Sequence, residues 1–305
     1  MRALEILSGA AGGEALPAMI ARATTSGHVV LGVWVDAGAR SLLGRYQAMP
    51  PGAVGERRHT GGRTVPCGPG HVRLAMALPH RSAIEGEPST LLRPEQAMNR
   101  CVRGLLDACR RLGADPSYPG RDVVTAGGTA IGWLSLTEVV GGAALFEAGL
   151  AVEAPLADVA LVDLVRGAPV AEDAVRAVVD AYRQRPWASV GDTEATSLPT
   201  TDPAELSWPI PADADRAGRV ATMLGTLGVH VGLDDSHRLR TVRIVGDVIA
   251  PVETVRAVEE SLIGVVPLRS EMERAVACVM DDPTRWMLGA DPVRDVPAAI
   301  AEALR

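Results

Sequence analysis

Lysine is absent: all 30 basic residues are arginine. No ε-amine is therefore available as a nucleophile, a Schiff-base former or a point-charge phosphate ligand. Aromatic residues are scarce at 3%, with Phe146 the single phenylalanine, so a core has to be built from Ala, Val and Leu. The four cysteines, Cys67, Cys101, Cys109 and Cys278, show no Cys-x-x-Cys spacing. That spacing suggests neither a zinc knuckle nor a disulfide framework. Positive charge is not in excess either. A net charge of -7 argues against a nucleic-acid partner, whose affinity rests on clustered cations. No apolar run reaches membrane-spanning length, since charges, Gly or Pro interrupt even the stretch after Gly141. The opening MRALEILSGAAGGEAL has no sustained apolar segment. A cytoplasmic protein without membrane or nucleic-acid partners is the expectation.

What is present is an ordinary globular balance, 47% hydrophobic and 22% charged over 305 residues, enough for one large domain or two unequal ones. The spacing predicts a helix over Leu16–Ala23 and a buried strand in SGHVVLGVWV. It predicts further strands in ARSLLGRYQ and HVRLAMALP, with a Pro/Gly-rich loop at Met49–Gly55 between them. The clearest helix is Pro94–Leu112. Met98, Cys101, Val102, Leu105, Leu106, Cys109 and Leu112 form its apolar stripe, and Arg100, Arg103, Arg110 and Arg111 lie mostly off it. Cys101 and Cys109 are thereby core thiols. Three strands follow in RDVVTA, AIGWLSL and ALFEAGLAVEA, with hairpin turns at Gly127-Gly128 and Gly141-Gly142. A helix follows at Ala171–Gln184. Pro186–Pro211 lacks periodicity and reads as a linker. Beyond it a helix is predicted at Asp213–Gly228, strands around Gly232 and Arg240–Val245, and a helix at Val252–Leu262 with a helical end. The expected architecture is α+β: a mixed or antiparallel sheet with packed helices over 1–185, a linker over 186–212, and a smaller α+β domain over 213–305.

The strongest chemical signal is Arg57-Arg58-His59-Thr60-Gly61-Gly62-Arg63-Thr64-Val65. Paired guanidiniums, a hydroxyl and two glycines leading into a strand suit an anionic ligand, because the glycines let backbone N–H groups come close. A hairpin turn with solvated arginines accounts for the same residues. Asp234, Asp235 and His237 near His230 lack a third well-spaced ligand, so a polar turn is expected there rather than a metal site.

This segment resembles the Arg-Arg-x-Thr/Ser-Gly-Gly pattern of the lipoate–protein ligase family, grouped with octanoyltransferases and biotin ligases in one cofactor-transferase fold. Trp34 followed by Ser41-Leu42-Leu43-Gly44-Arg45-Tyr46-Gln47 resembles the family's Trp strand and Ser-x-Gly-x-x-Gln stretch. Gly120-Arg121-Asp122 and Gly127-Gly128-Thr129-Ala130-Ile131-Gly132 resemble its Gly-Arg-Asn-Asp…Gly-x-Lys-Ile-x-Gly pattern. Val242–Asp247 and Leu262-Ile263-Gly264 resemble its accessory domain. The resemblance implies a pocket lined by Arg57, Arg58, Thr60, Gly61, Gly62, Arg63, Arg121, Asp122, Gly132 and Trp133, with N–H groups near Gly62 directed into it. It implies a lipoyl or fatty-acyl ligand, ATP with magnesium, and a carrier protein or small amine as acceptor.

The departures bear on the chemistry. Thr129 aligns with the family's catalytic lysine and is expected to face the pocket, but Thr carries no charge. Loss of a preorganised cation at an acyl-transfer site slows the reaction by about 100- to 1000-fold. Arg63 or Arg121 would have to compensate. Cys67, beside Arg63 and His71, is a candidate replacement nucleophile or simply a small side chain in a tight turn. Two function classes follow: an acyl or lipoyl transferase or AMP-forming ligase of altered chemistry, or a catalytically inactive member of the fold that binds a ligand or acts as a scaffold. Absence of lysine is explained by a coding bias, or by protection from a reactive acyl donor.

Overall fold

The computed structural model describes residues 3–7, 16–49, 55–85, 92–139, 141–156, 160–165, 169–185, 189–192 and 206–305. Most of the Met49–Gly55 loop and of the Pro186–Pro211 stretch lies outside these residues. The chain divides into two compact units, one of residues 1–42, 54–59 and 65–205, the other of 43–53, 60–64 and 206–305.

In the first unit, α1 (Leu16–Ser26), β1 (Ala3–Leu7), β2 (Val29–Val35), β3 (Arg40–Leu43), β4 (Gly55–Arg57), β5 (Val65–Cys67) and β6 (His71–Leu78) are followed by α2 (Pro94–Arg111). Next come β7 (Pro116–Ser117), β8 (Val123–Ala126), β9 (Thr129–Glu138), β10 (Ala144–Ala151), α3 (Leu161–Leu164), α4 (Ala171–Arg183) and β11 (Ser189–Asp192). Eight strands form one sheet in the order β11-β1-β2-β6-β10-β9-β8-β7, and β3 lies between β4 and β5 in a second, three-stranded one. β1 runs parallel to β2 and β11, while the pairs from β2 through β6, β10, β9 and β8 to β7 are antiparallel. Within the stretch read as a linker, Ser189–Asp192 is therefore an edge strand. It shows no hydrophobic alternation, because its pairing rests on main-chain hydrogen bonds to β1.

Period-two alternation sorts the large sheet into two faces. Val72, Leu74, Met76 and Leu78 of β6 share one with Phe146, Ala148 and Leu150 of β10 and Leu31 and Val33 of β2, all buried. That face lies under helices: α4 packs on β2 and β6, and α2 packs on β9 and on α4. Met98, Cys101, Val102, Leu105 and Cys109 of the α2 stripe are buried as their spacing predicts, whereas Leu106 and Leu112 are half-buried, and the Tyr182 hydroxyl of α4 donates to the Cys101 carbonyl at 2.6 Å. Burying each such side chain stabilises by about 1.5–3 kcal/mol. On the other face, α1 sets Leu16, Met19 and Ala23 on Val30, Trp34, Ala75, Ala77 and Leu145.

In the second unit, Asp213–Gly228 is not a helix. It contains β12 (Arg216–Ala221) and the start of β13 (Thr226–Leu233), which with β14 (Leu239–Gly246) form a three-stranded antiparallel sheet. Two features of the sequence account for this. Leu227, Val229 and Val231 alternate and are buried, and a Cβ at Gly218 would stand 2.1 Å from the Ala299 carbonyl oxygen. The helices are α5 (Val252–Leu262), α6 (Arg269–Met280) and α7 (Pro292–Ala303). Tyr46 and Trp208 join the core they cover. The Tyr46 ring meets Trp208 edge-on at 5.0 Å, and its hydroxyl donates to the Ala250 carbonyl at 2.8 Å.

Glu259 of α5 is buried in this unit, accepting from the Ile244 N–H at 2.7 Å and from Arg243 at 3.0 Å. Burial outweighs both contacts and pushes its carboxyl up to about 7. A carboxyl with a raised value binds its proton more tightly folded than unfolded. The associated stability is therefore full at low pH and lost as pH rises through about 7. Thermal unfolding between about pH 5 and pH 8 should show a fall worth of order 3 kcal/mol from this group. Glu259→Gln should flatten that fall; an unchanged pH profile in the variant would assign the dependence elsewhere.

Candidate functional site

Opposite α2 and α4, part of the large sheet carries charge instead of aliphatic side chains. The register aligns Trp133 of β9, Gly149 of β10, Arg73 of β6 and Trp34 of β2 in one row across four strands. The neighbouring row is Ser135, Glu147, Ala75 and Gly32. Gly149 has no side chain because Trp133 lies across it: a Cβ there would stand 2.3 Å from the indole nitrogen. On the Trp133 ring rests the Arg58 guanidinium, 4.4 Å from the ring centroid. Leu42, Val65 and Cys67 of the small sheet pack against the same indole.

Arg73 is the largest fully buried side chain among the described residues, 1% exposed. Its guanidinium lies 3.1 Å from Glu56, 3.5 Å from Asp36 and 3.6 Å from Glu147, and 5.1 Å from the Trp34 ring centroid. Arg40 adds bonds of 2.9 Å to Asp36 and 2.7 Å to Glu56. Burial disfavours each charge, but on Arg73 the carboxylates Glu147, Glu56 and Asp36 outweigh it and hold the guanidinium above its ordinary value. On Glu56 the balance runs likewise: burial raises it, Arg73 and Arg40 overcome this, and the carboxyl ends low. Arg58 differs. Burial dominates and pulls it down to about 10, with Arg73 adding to the fall and Glu147 and Asp122 opposing it. It remains a cation at neutral pH.

The segment Arg57–Val65 is divided between the units. Arg57, half-buried on β4, and the buried Arg58 belong to the first. Thr60, Gly61, Gly62 and Arg63 belong to the second. There the Gly62 N–H donates to the Val248 carbonyl at 2.7 Å, so it is not the ligand donor expected of it. A Cβ on Gly61 would meet the same oxygen at 1.9 Å. The Ser-x-Gly-x-x-Gln stretch is tied in the same way. Gln47 Nε2 donates to Asp247 at 2.6 Å, and the Arg45 N–H to the Thr60 carbonyl at 2.9 Å. These motif residues hold the second unit together.

Thr129 begins β9 after a two-residue turn with φ of 57° at Gly127 and 83° at Gly128. It does not face Arg58. Val123 pairs with Trp133 and Ala126 with Thr129, with a register shift between Val124 and Thr125. Residues 123 and 126 fall on opposite faces of their strand, so the irregularity turns Thr129 away from the Trp133 face and puts Ala130, paired with Thr125, on it. Gly132 and Asp122 are buried, whereas Arg121 is exposed. Of the compensating cations expected, Arg121 faces solvent and Arg63 lies in the second unit; the buried cation beside Trp133 is Arg58. Arg73 and Glu147, which sequence reasoning missed, are each a lone charge inside an otherwise apolar strand, and their signs are opposite.

Cys67 is buried, and burial, with Asp36 adding to it, pushes its thiol up to about 11. A low value would mark a nucleophile. Alkylation of the native protein near neutral pH should label the exposed Cys278 first, with Cys67, Cys101 and Cys109 following only on unfolding. Labelling of Cys67 at the rate of Cys278, read by peptide mass spectrometry, would restore it as a nucleophile. Asp234 accepts from the Ser236 and Arg238 N–H groups, each at 2.8 Å, forming a polar turn. Among the described residues no group of three His, Cys, Asp or Glu side chains could hold a metal, and no helix is long and apolar enough to cross a membrane.

The mixed sheet with its packed helices has the fold of the lipoate–protein ligases. P. falciparum LipL1, solved in complex with lipoate, superposes with a TM-score of 0.63 at 10% identity, over 92% of this chain and 94% of that one. Lipoate–protein ligase A, solved with ATP, gives 0.51 at 14% identity over 64% of this chain and 90% of that one. The bipartite lipoate protein ligase of Thermoplasma acidophilum, studied with its E2 lipoyl domain, gives 0.50 at 14% identity over 64% and 88%. No protein-family model and no curated protein matches the sequence.

Proposed function

We propose that the protein works in lipoate-type cofactor transfer, as an acyl or lipoyl transferase or AMP-forming ligase of altered chemistry. The observation that carries this reading is the buried Arg58 guanidinium on the indole of Trp133. A desolvated cation on the sheet face suits an acyl carboxylate or acyl phosphate, because charge interactions strengthen where water is excluded. In a fold lacking its usual lysine, Arg58 supplies the positive charge and Trp133 fixes its plane. Were magnesium bound with the substrate, the buried Asp122, which faces Arg58 electrostatically, would be its carboxylate ligand, with substrate phosphate oxygens supplying the rest. A carrier-protein amine or a small amine is the acceptor this class of reaction calls for.

A second reading, a non-catalytic ligand-binding or scaffold protein, is favoured by a different observation. Trp133 fills the space above Gly149, and Arg58 lies near the carboxylates Glu147 and Asp122, which already balance its charge. The two readings separate on one experiment: incubation with ATP, magnesium and lipoate or octanoate, followed by pyrophosphate release and mass spectrometry for the acyl-adenylate. The first reading expects slow turnover, abolished in Arg58→Met. Ala130→Lys should restore a cation on the Trp133 face and raise the rate by about 100-fold or more, whereas Thr129→Lys, on the opposite face, should not. Acyl-adenylate formation in neither the natural protein nor Ala130→Lys would leave the binding reading.

A further inference from the structure

On the far side of the large sheet from Arg58, a groove of about 450 Å³ lies between α2 and the Pro116–Tyr118 segment, with Arg185 also in its lining. From α2 it is lined by Leu106 and by the polar side chains of Asn99, Arg103, Asp107 and Arg110. These are spaced four, four and three residues apart, a stripe of roughly 16 Å along the helix surface. The stripe is the polar back of the helix whose front is the buried apolar face.

Its charge is unbalanced. Asp107 pairs with Arg110 through one oxygen at 2.8 Å and with Arg185 through the other, which neutralises one of three guanidiniums. Arg103 makes no hydrogen bond or ion pair with any described residue. The Nε–H of Arg185 is buried without an acceptor. Asn99 and Tyr118 add neutral donors, and burial keeps the Tyr118 phenol protonated well above its ordinary range. A buried donor without a partner is costly, and a groove rich in donors within a protein of net charge -7 concentrates positive potential where the rest of the molecule opposes it.

We infer that this groove binds a small molecule carrying two phosphate groups, one held by Arg103 and the other by Arg185 and Arg110. Guanidinium forks match phosphate oxygens in pairs, and two separated cationic positions favour two linked anionic groups over one. The site is separate from Arg58 and does not rest on the transfer reading.

The probe is inorganic pyrophosphate added to the full-length chain, with binding read by calorimetry and by the shift in thermal midpoint, against sulfate and chloride at matched ionic strength. Saturable pyrophosphate binding at least about tenfold tighter than that of sulfate is expected. It should weaken about tenfold or more in Arg103→Gln and in Arg185→Gln, one charge-assisted contact being lost in each. Arg103 is exposed and unpaired, so its substitution leaves the fold intact. Arg176→Gln, a change of an exposed arginine outside the groove, should bind as the natural protein does. Binding no stronger than that of sulfate, or unchanged in Arg103→Gln, overturns the inference. Binding lost in Arg58→Met but kept in Arg103→Gln puts the anion on the opposite face and overturns it equally.

Discussion

Arg73→Met should cost about 3–5 kcal/mol of stability, the usual penalty for leaving buried partners of an ion network unpaired. Asp36 and Glu147 are 2% and 1% exposed, and Glu56 keeps its charge largely through Arg73 and Arg40. Methionine preserves much of the volume between Trp34 and Gly149, so the loss will come from charge rather than from a cavity. Denaturant unfolding checks the size. A second measurement separates the cause: with the guanidinium gone the carboxylates take up protons on folding, so the deficit should shrink as pH falls. The triple change Arg73→Met, Asp36→Asn, Glu147→Gln should recover a large part of the stability at neutral pH. A loss that is independent of pH and not relieved in the triple variant would mean that Arg73 matters as a packing element alone.

The second large effect is expected at Gly61. A methyl group there would occupy the place of the Val248 carbonyl oxygen, 1.9 Å from the new carbon, and would break the adjoining Gly62–Val248 hydrogen bond. Backbone cannot yield as a flexible side chain does, so Gly61→Ala should destabilise the second unit by about 3 kcal/mol. Hydrogen exchange at the Gly62 amide should accelerate correspondingly. Ligand binding at Arg58, measured below the variant's unfolding temperature, should change little. If instead Gly61→Ala unfolds like the natural protein and loses only ligand binding, the two glycines serve the ligand as their motif suggests.

These two positions show where the sequence could be read and where it could not. The α2 stripe, the strands around Val29, His71 and Ala144, and the Gly127-Gly128 turn follow from periodicity and turn chemistry, since each is decided by residues within one element. Arg73 and Glu147 stand out as lone opposite charges in apolar strands, but their meeting depends on the β6–β10 register. The orientation of Thr129 is beyond such reading, because one register shift reverses every side chain past it. The Arg-Arg…Gly-Gly segment has the composition of an anion cradle. Its glycines are nevertheless required by a carbonyl almost two hundred residues away, and local sequence carries no trace of that partner. The hairpin from Arg216 escapes detection because its glycines interrupt both periodicities.

The Tyr46 hydroxyl reaches a carbonyl 204 residues later, and this separation sets an order of events during synthesis. At about 5–20 residues per second, residues 43–53 leave the ribosome roughly 10–40 s before Ala250 exists. During that interval the nascent chain completes the first unit's strands while it holds two short segments whose proper neighbours are not yet translated. Tyr46 is among the few large aromatic side chains the chain possesses, and it stays uncovered until the last third of the polypeptide arrives. A fragment ending within Pro186–Pro211 would keep these segments exposed permanently, and the complementary fragment would fold around a missing aromatic. Split expression of the two halves should therefore yield soluble material only when both are made together, with the early half serving as a part of the late one's interior.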